Sequence, residues 1–521
     1  MLNYGGDIMK KFSEKVFLII NPPTEDNPTS IHHQLIQTLQ QKGYPQVEIP
    51  LSVMQNLYTV CLDSNYQITV TLIYRESHWI ITLVEAGNTR NFHYGLVVDY
   101  GSTTIIMQMI DMNSGKIIGQ VQEMNGQIIY GTDILTRITY TMEHPSHMDD
   151  LQTVTVDTFE RLMQQLTYTT GISAFDSSVM IISGNTTMIH FLLKLDARTV
   201  FFSPYAPVTL NPGWLWGHEL RMNFSGMIYV IPAASNYVGG DIVSGLLNLN
   251  FLDSDEIKLF FDIGTNGELV IGNREWLMAG AGAAGPALEG YISKYGIRAQ
   301  NGAVDTVKIQ GTEMQTTTIG NKKAIGICGS GIIDLLAQMR LHGWINIAGE
   351  LNPNASPRIM YMPAEEQYVV VYANKQESGR GVPLYFSQTD IHQYLDTKAA
   401  AFTMIDCLLD TAGCKEADIS HCYLSGAFTA HSDLESAITI GIFPDLPREH
   451  YTCIANTSLD GARILLLDCT RLQDIHYYTE TMYCVQFASI PDFLIRMQAA
   501  KFIPHTDMER FPNVLENLHN Y

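Results

Sequence analysis

The sequence predicts an α/β protein built from more than one domain. From Tyr94 onward, short runs of β-branched and aromatic hydrophobes alternate with amphipathic stretches of helical period. At 521 residues the chain is longer than one hydrophobic core usually organises. Hydrophobic residues make up 46% and charged residues 16%, the balance of a chain that packs a core and does not stay disordered.

Taken in order, residues 10–93 read as a small α/β unit. "VFLII", "ITVTLIY" and "HWIITLV" are its strands, around a helix in "TSIHHQLIQTLQQKG". His32 and His33 sit on that helix without a second pair at ligand spacing, so a solvated or packed role is expected for them. The domain division expected is 1–93 against 94–521. Beyond it, "GLVVDY", "TIIMQMIDM", "VMIIS", "MIYVI", "KLFFDIG" and "HCYLSG" are strands. Helices are expected near 131–141, 157–169, 185–195, 239–250, 284–294, 328–342, 388–412 and 460–468. "GELNPNASPR", residues 349–358, is a turn-rich loop, with helix again from Thr389. Two pairs of similar segments suggest two related halves: a pair of Asp-Gly turns, and "GTDILT" (131–136) beside "GGDIVS" (239–244).

The formal net charge of −22 disfavours nucleic-acid binding, which needs a concentrated Lys/Arg surface. No run of about 18 apolar residues occurs, and "MLNYGGDIMKKF" lacks a signal-peptide pattern, so no membrane association and a cytoplasmic location are expected. The eight cysteines form no C-x-x-C pair, and only Cys61 precedes Cys328.

"VVDYGSTT", residues 97–104, ends a hydrophobic run in Asp99 and then breaks into Gly101, Ser102, Thr103 and Thr104. "FFDIGTNGE", residues 260–268, repeats the design with Asp262, Gly264, Thr265, Asn266 and Gly267. A turn of this kind presents backbone N–H groups to an anion, and glycine lets a phosphate approach the main chain. The aspartates would repel bare phosphate, so their task is to hold Mg²⁺, directly or through water. Facing each other across a cleft, the two turns would grip the β- and γ-phosphates of a nucleoside triphosphate, with Asp99 and Asp262 near one magnesium ion. Two unrelated β-turns are the plainer alternative.

No Walker sequence or dinucleotide fingerprint occurs. "AGAGAAGPALEG" (279–290) sets small residues before an expected helix carrying Glu289. "GICGSGIIDLL" (326–336) sets Gly329, Ser330 and Gly331 before Asp334. Such runs allow backbone approach to a purine or ribose, or else close helix–strand packing. "CYLSGAFTAHSDLESAITIGIFPD" (422–445) is a strand, a turn at Ser425, Gly426 and Ala427, and a helix, which suits the adenosine side. Asp133 and Arg137, four apart at a helix start, read as an ion pair, with a catalytic Asp133 acting on water as the alternative. His190, in "GNTTMIH", reads as a packed histidine on a capped helix.

The ordered set "GLVVDYGSTT", "YGTDILTRI", "ISGNTTMIHFLL", "YVGGDIVSGLL", "FDIGTNGELVIGN", "AAGPALEG", "GICGSGIIDLL", "YLSGAFTAHSDLESAITIG" and "KFIPH" closely resembles the ATP-dependent reductive activators of corrinoid proteins. These belong to the superfamily of acetate and sugar kinases, heat-shock chaperones and actin (ASKHA). The resemblance covers roughly Tyr94 to His505, about four-fifths of the chain, and a weaker match before Tyr94 is to the family's small middle domain. It implies two actin-like (ribonuclease-H-like) lobes around an ATP cleft, with a small α/β unit in front. It also implies phosphate turns at Asp99–Thr104 and Asp262–Gly267, and an adenosine turn at Ser425, Gly426, Ala427 and Phe428 near Gly329, Ser330 and Gly331.

Family members use ATP to drive electron delivery to a Co(II) corrinoid, restoring Co(I). Tyr100, Ser102 and Thr429 depart from the family's Ile, Thr and Gly, and are expected to be tolerated. The larger departure is that the four spaced cysteines of a plant-type [2Fe–2S] module do not occur, and Cys407, Cys414 and Cys422 fit no cluster spacing. The electron would then come from a separate ferredoxin or flavodoxin-like partner. A homodimer is among the assemblies open to the chain. A small-molecule kinase of the same superfamily and a non-hydrolysing nucleotide-sensing scaffold are the rival functions.

Overall fold

The computed structural model describes residues 11–75, 78–264, 266–282, 290, 292–426 and 432–520. They form an α/β fold of two compact units, Met1–Asn250 with Thr457–Glu480, and Phe251–Asn456 with Thr481–Tyr521.

The first unit holds two sheets. Strands β1 (Ser13–Ile19), β2 (Val47–Glu48), β3 (Gln67–Arg75) and β4 (His78–Ala86) make a sheet in the order β1-β3-β4-β2. The helices Ile31–Gln41 and Leu51–Asp63 pack Leu35, Leu39, Leu57 and Cys61 into its own core. His32 and His33 are exposed on the first of these helices. The second sheet comprises β5 (Tyr94–Tyr100), β6 (Thr104–Asp111), β7 (Ile117–Met124), β8 (Val179–Gly184), β9 (Gly213–Trp216) and β10 (Met227–Val230), in the order β7-β6-β5-β8-β10-β9. Its central strands are runs of small and β-branched hydrophobes, buried on both faces in the manner of strands that helices cover.

The second unit carries β11 (Ile257–Ile263), β12 (Gly267–Gly272), β13 (Leu277–Gly282), β14 (Ala303–Gln310), β15 (Glu313–Thr318), β16 (Gly326–Ile327), β17 (Ile359–Met362), β18 (Gln367–Ala373), β19 (Leu384–Ser387), β20 (Ile419–Ser425), β21 (Tyr451–Ile454) and β22 (Tyr483–Val485). Its main sheet runs β21-β20-β11-β12-β13-β22, beside two three-stranded sheets, β15-β14-β16 and β17-β18-β19. The long helix Gln388–Ala412 crosses its core. It opens on a capping box, in which Ser387 Oγ accepts from Asp390 N while Asp390 accepts from Ser387 N, and it closes on Gly413 at φ 69°.

The two main sheets share one topology. In each, the first strand pairs antiparallel with the next, which pairs antiparallel with a third, and pairs parallel with a later strand on its other side. Internal duplication is therefore carried by strand order. The similarity of "GTDILT" to "GGDIVS" does not reflect it, because both segments lie in the first unit. The sequence reading also passes over the hairpin β14–β15, the sheet β17-β18-β19 and the helix Leu51–Asp63, whose patterns are short or weakly amphipathic. The helix expected near 284–294 lies largely outside the described residues.

Candidate functional site

In the first unit Asp99 stands one residue before the end of β5, and the register sets it beside Ser183 of β8. The turn that follows is held from behind through its carbonyls. Asn125 Nδ2 donates to Gly101 O at 2.8 Å, Arg137 Nη2 to Ser102 O at 2.7 Å, and Asn125 N to Thr103 O at 2.9 Å. A trans peptide points its N–H opposite to its C=O, so tying back the carbonyls of Gly101 and Ser102 turns the amides of Ser102 and Thr103 the other way. Two successive amides so aimed make a concave seat for an anion. A Cβ at Gly101 would lie 2.5 Å from Thr104 O, so only glycine allows the turn to close this tightly.

Behind the turn Tyr100 is fully buried. Its hydroxyl meets Thr155 Oγ1 at 3.0 Å and accepts from Gln127 Nε2 at 3.1 Å, which is why a tyrosine is tolerated at this position.

Arg137 and Asp133 do not behave as the expected ion pair. Asp133 caps the helix Ile134–Glu143, its Oδ1 accepting from Thr136 N at 2.8 Å and its Oδ2 from Thr136 Oγ1 at 2.6 Å. Arg137 instead buries its guanidinium against main-chain carbonyls, Gly131 O at 2.9 Å besides Ser102 O. His190 is a packed histidine, as expected. Its Nδ1 donates to Thr186 O at 2.7 Å while its Nε2 accepts from Val208 N at 3.1 Å, which fixes the neutral tautomer.

A second acid joins the first-unit turn. Asp241, in the first turn of the helix Gly240–Asn248, accepts from Ile242 N at 2.9 Å. The side chain keeps a partly exposed rim, yet the dense packing around it, helped by the charge of Asp99 and only partly opposed by that amide, pushes the carboxyl up to about 7. Ser458, at the start of the helix Thr457–Leu467, donates to Asp99 Oδ1 at 2.9 Å.

In the second unit Asp262 occupies the matching place in β11. It lies across from Glu268 on β12 and beside Ser425 on β20. Gly264 N donates to Asn266 O at 2.9 Å across the turn that leads to Gly267, and the space where a Cβ at Gly264 would stand is open. Gly426 follows Ser425 at φ 101°, where a Cβ would overlap Ile263 O and come within 3.0 Å of Asp262 Oδ1. The structure thus brings Asp262, Glu268, Ser425 and Gly426 together.

Gly329, Ser330 and Gly331 open the helix Gly329–Leu341, and a Cβ at Gly331 would overlap Val304 O, so close packing on β14 accounts for that glycine. Thr265, Glu289, Ala427, Phe428 and Thr429 lie outside the described residues.

Hard carboxylate oxygens beside amide-bearing turns fit Mg²⁺ carried by a phosphate, and the open side of Gly264 leaves it room. Sequence reasoning missed Asp241, Glu268, Ser183 and Ser458. One signal was available for Ser183: the dipeptide Ser-Gly closes both parallel partner strands, at 183–184 and 425–426.

No described helix is long and apolar enough to cross a membrane. Comparison with known families matches residues 256–515 to the C-terminal domain of RACo, the ASKHA domain. Residues 94–254 match the RACo middle region and 8–91 the RACo linker region, so the segment before Tyr94 corresponds to the linker and not to the middle domain that the resemblance implied. The corrinoid activation enzyme RamQ of Eubacterium limosum is 27% identical over 396 residues, 74% of this chain and 66% of that protein. A [Co(II) methylated amine-specific corrinoid protein] reductase of Methanosarcina barkeri is 23% identical over 417 residues, 73% of this chain and 71% of that one. The chain thus spans about two thirds of the length of these relatives. The solved structure of a reductive activator for corrinoid, iron–sulfur protein superposes with a TM-score of 0.85 at 32% identity, covering 98% of this chain and 82% of the other. On this match and on the three contiguous domain matches, the chain belongs to the RACo family of reductive activators of corrinoid proteins.

Proposed function

We propose that the chain binds ATP with Mg²⁺ and couples its hydrolysis to the return of a Co(II) corrinoid protein to Co(I), one electron arriving from a separate carrier such as a ferredoxin or flavodoxin-like protein. The observation that carries this reading is the repeated strand end: in each main sheet an aspartate one residue before the end of the first strand pairs with the serine of a Ser-Gly at the end of its parallel neighbour. The relatives named for corrinoid activation and for reduction of a Co(II) corrinoid protein support the substrate class.

Asp99 and Asp262 are the residues that would hold the metal, directly or through water. Mg²⁺ so held neutralises triphosphate charge and orients the bond to be cleaved. The amides of Ser102 and Thr103, with the Thr103 and Thr104 hydroxyls, take phosphate oxygens in the first unit; Gly264, Thr265, Asn266 and Gly267 do so in the second. Ser425, Gly426, Ala427 and Phe428, with Gly329, Ser330 and Glu289, take the nucleoside.

Hydrolysis adds a water oxygen to the γ-phosphorus and breaks its bond to the bridging oxygen of ADP, and the water's proton needs an acceptor. Asp241 suits that role better than Asp133. Its carboxyl is held near 7, where a base is most effective at neutral pH, whereas both Asp133 oxygens are engaged in capping.

The test is to mix the pure protein with a Co(II) corrinoid protein, a reductant and ATP, and to follow the visible spectrum. A Co(I) band that grows with ATP and not in its absence is expected. Equal growth in both samples would overturn the reading.

A further inference from the structure

Ser183 and Ser458 are both buried, at 0% and 5% exposure, and their hydroxyl oxygens lie 2.9 Å apart. Ser458 Oγ donates to Asp99 Oδ1 at 2.9 Å. Ser183 Oγ lies 3.1 Å from Gly240 O, to which it can donate. Gly240 opens the helix that carries Asp241. The helix of Ser458 is tied to the same element, because Ser244 Oγ donates to Ser458 O at 2.7 Å and a Cβ at Gly461 would overlap Ser244 O.

A hydroxyl offers one proton. Three contacts in a row are therefore served by two protons, so every arrangement leaves one of them unserved, and two arrangements keep a proton between the two hydroxyls. In the first, Ser183 donates to Ser458 and Ser458 to Asp99, and the Gly240 carbonyl goes without the serine donor. In the second, Ser458 donates to Ser183 and Ser183 to Gly240 O, and Asp99 gives up the Ser458 donor. Sending both protons outward would leave the two hydroxyl oxygens 2.9 Å apart with nothing between them and would forgo the mutual polarisation that a continuous chain of donors supplies. No O–H bond breaks in passing from one arrangement to the other; both protons stay on their oxygens and rotate.

We propose that Ser183 and Ser458 form a two-position hydroxyl relay that reports cation occupancy of Asp99 to the first turn of the Asp241 helix. With the carboxylate free of metal, its charge draws the Ser458 proton and sets the first arrangement. A cation on that carboxylate repels the proton, the chain reverses, and Gly240 O gains a donor. Ser183 and Ser458 are thus positioning residues for the acid that faces the reaction. The relay rests on the reading of Asp99 as a Mg²⁺ ligand.

Amide hydrogen exchange over residues 240–248 tests it, in full-length wild type, Ser183→Ala, Ser458→Ala and the double variant, each with ATP plus Mg²⁺ and with ATP plus EDTA. ATP binding is measured by calorimetry on the same samples. In wild type, Mg²⁺ with ATP is expected to slow exchange in the first turn about fivefold, the factor that one net hydrogen bond supplies. Either alanine should abolish that slowing while ATP still binds, and the double variant should show no further loss, because the two hydroxyls act as one unit. Ser458→Thr keeps a hydroxyl and should retain the response, which separates the relay from a packing defect. Ser183→Ala responding as wild type does, with magnesium-dependent ATP binding intact, overturns the relay alone. Wild type that binds no ATP overturns the assignment of the site and the relay with it.

Discussion

Asp99 and Asp262 each stand near the end of a strand, beside Ser183 and Ser425 respectively. Asp262→Ala should lower ATP turnover by at least about a hundredfold, the loss of several kcal/mol of charge stabilisation; unchanged phosphate release in a steady-state assay would refute the assignment. Asp99→Asn should abolish the difference between ATP affinity with and without Mg²⁺ in calorimetry. Asp334 offers a test in the second unit that does not depend on ligand. Burial, with Asp433 and Asp305 nearby, pushes its carboxyl from 3.8 up to about 6 despite the Val307 amide donating to it at 3.3 Å. Between those two values the folded chain holds a proton that the unfolded chain releases. The stability this group contributes is therefore present at low pH and is lost as pH rises through about 6. Asp334→Asn should flatten that part of a melting-temperature profile against pH.

Among the elements, the first turn depends on two residues that no phosphate motif contains. Arg137 reads in sequence as the partner of Asp133 four residues earlier, because helix spacing alone offers that pairing. The carbonyls of Ser102 and Gly131 take the guanidinium instead, while both Asp133 oxygens are engaged by Thr136. Arg137→Met should therefore destabilise the fold by about 1–3 kcal/mol for the acceptors left unpaired and weaken ATP binding as well; Arg137→Lys should not rescue it, because a point ammonium lacks the planar fork that reaches both carbonyls. In the second unit, Gly331→Ala forces the helix Gly329–Leu341 away from β14. A loss of about 1–3 kcal/mol in chemical denaturation is expected.

Across the whole molecule, a ligand that binds only the folded chain adds stability by mass action. Mg²⁺ and ATP at a hundredfold excess over their dissociation constant should add about 2.7 kcal/mol, seen as a raised melting temperature that EDTA reverses. ATP that leaves the melting temperature unmoved at saturating concentration would argue against binding to the native fold.

What the sequence determined by itself is what local chemistry encodes. Strand and helix alternation followed from hydrophobic period, and the ends of β5 and β11 were legible because glycine and polar residues break each buried run there. The family was legible because nine such segments keep one order. What the tertiary structure decided is which of these residues meet. Ser183 and Asp99 lie 84 positions apart and become neighbours only through strand register, and Ser458 reaches the same carboxylate from 359 positions away. Asp241, read in the sequence as an echo of Asp133, becomes the acid beside Asp99 because packing places it there. Period and turn chemistry act within a few residues of chain, whereas proton sharing between buried groups depends on contacts that only the folded packing creates.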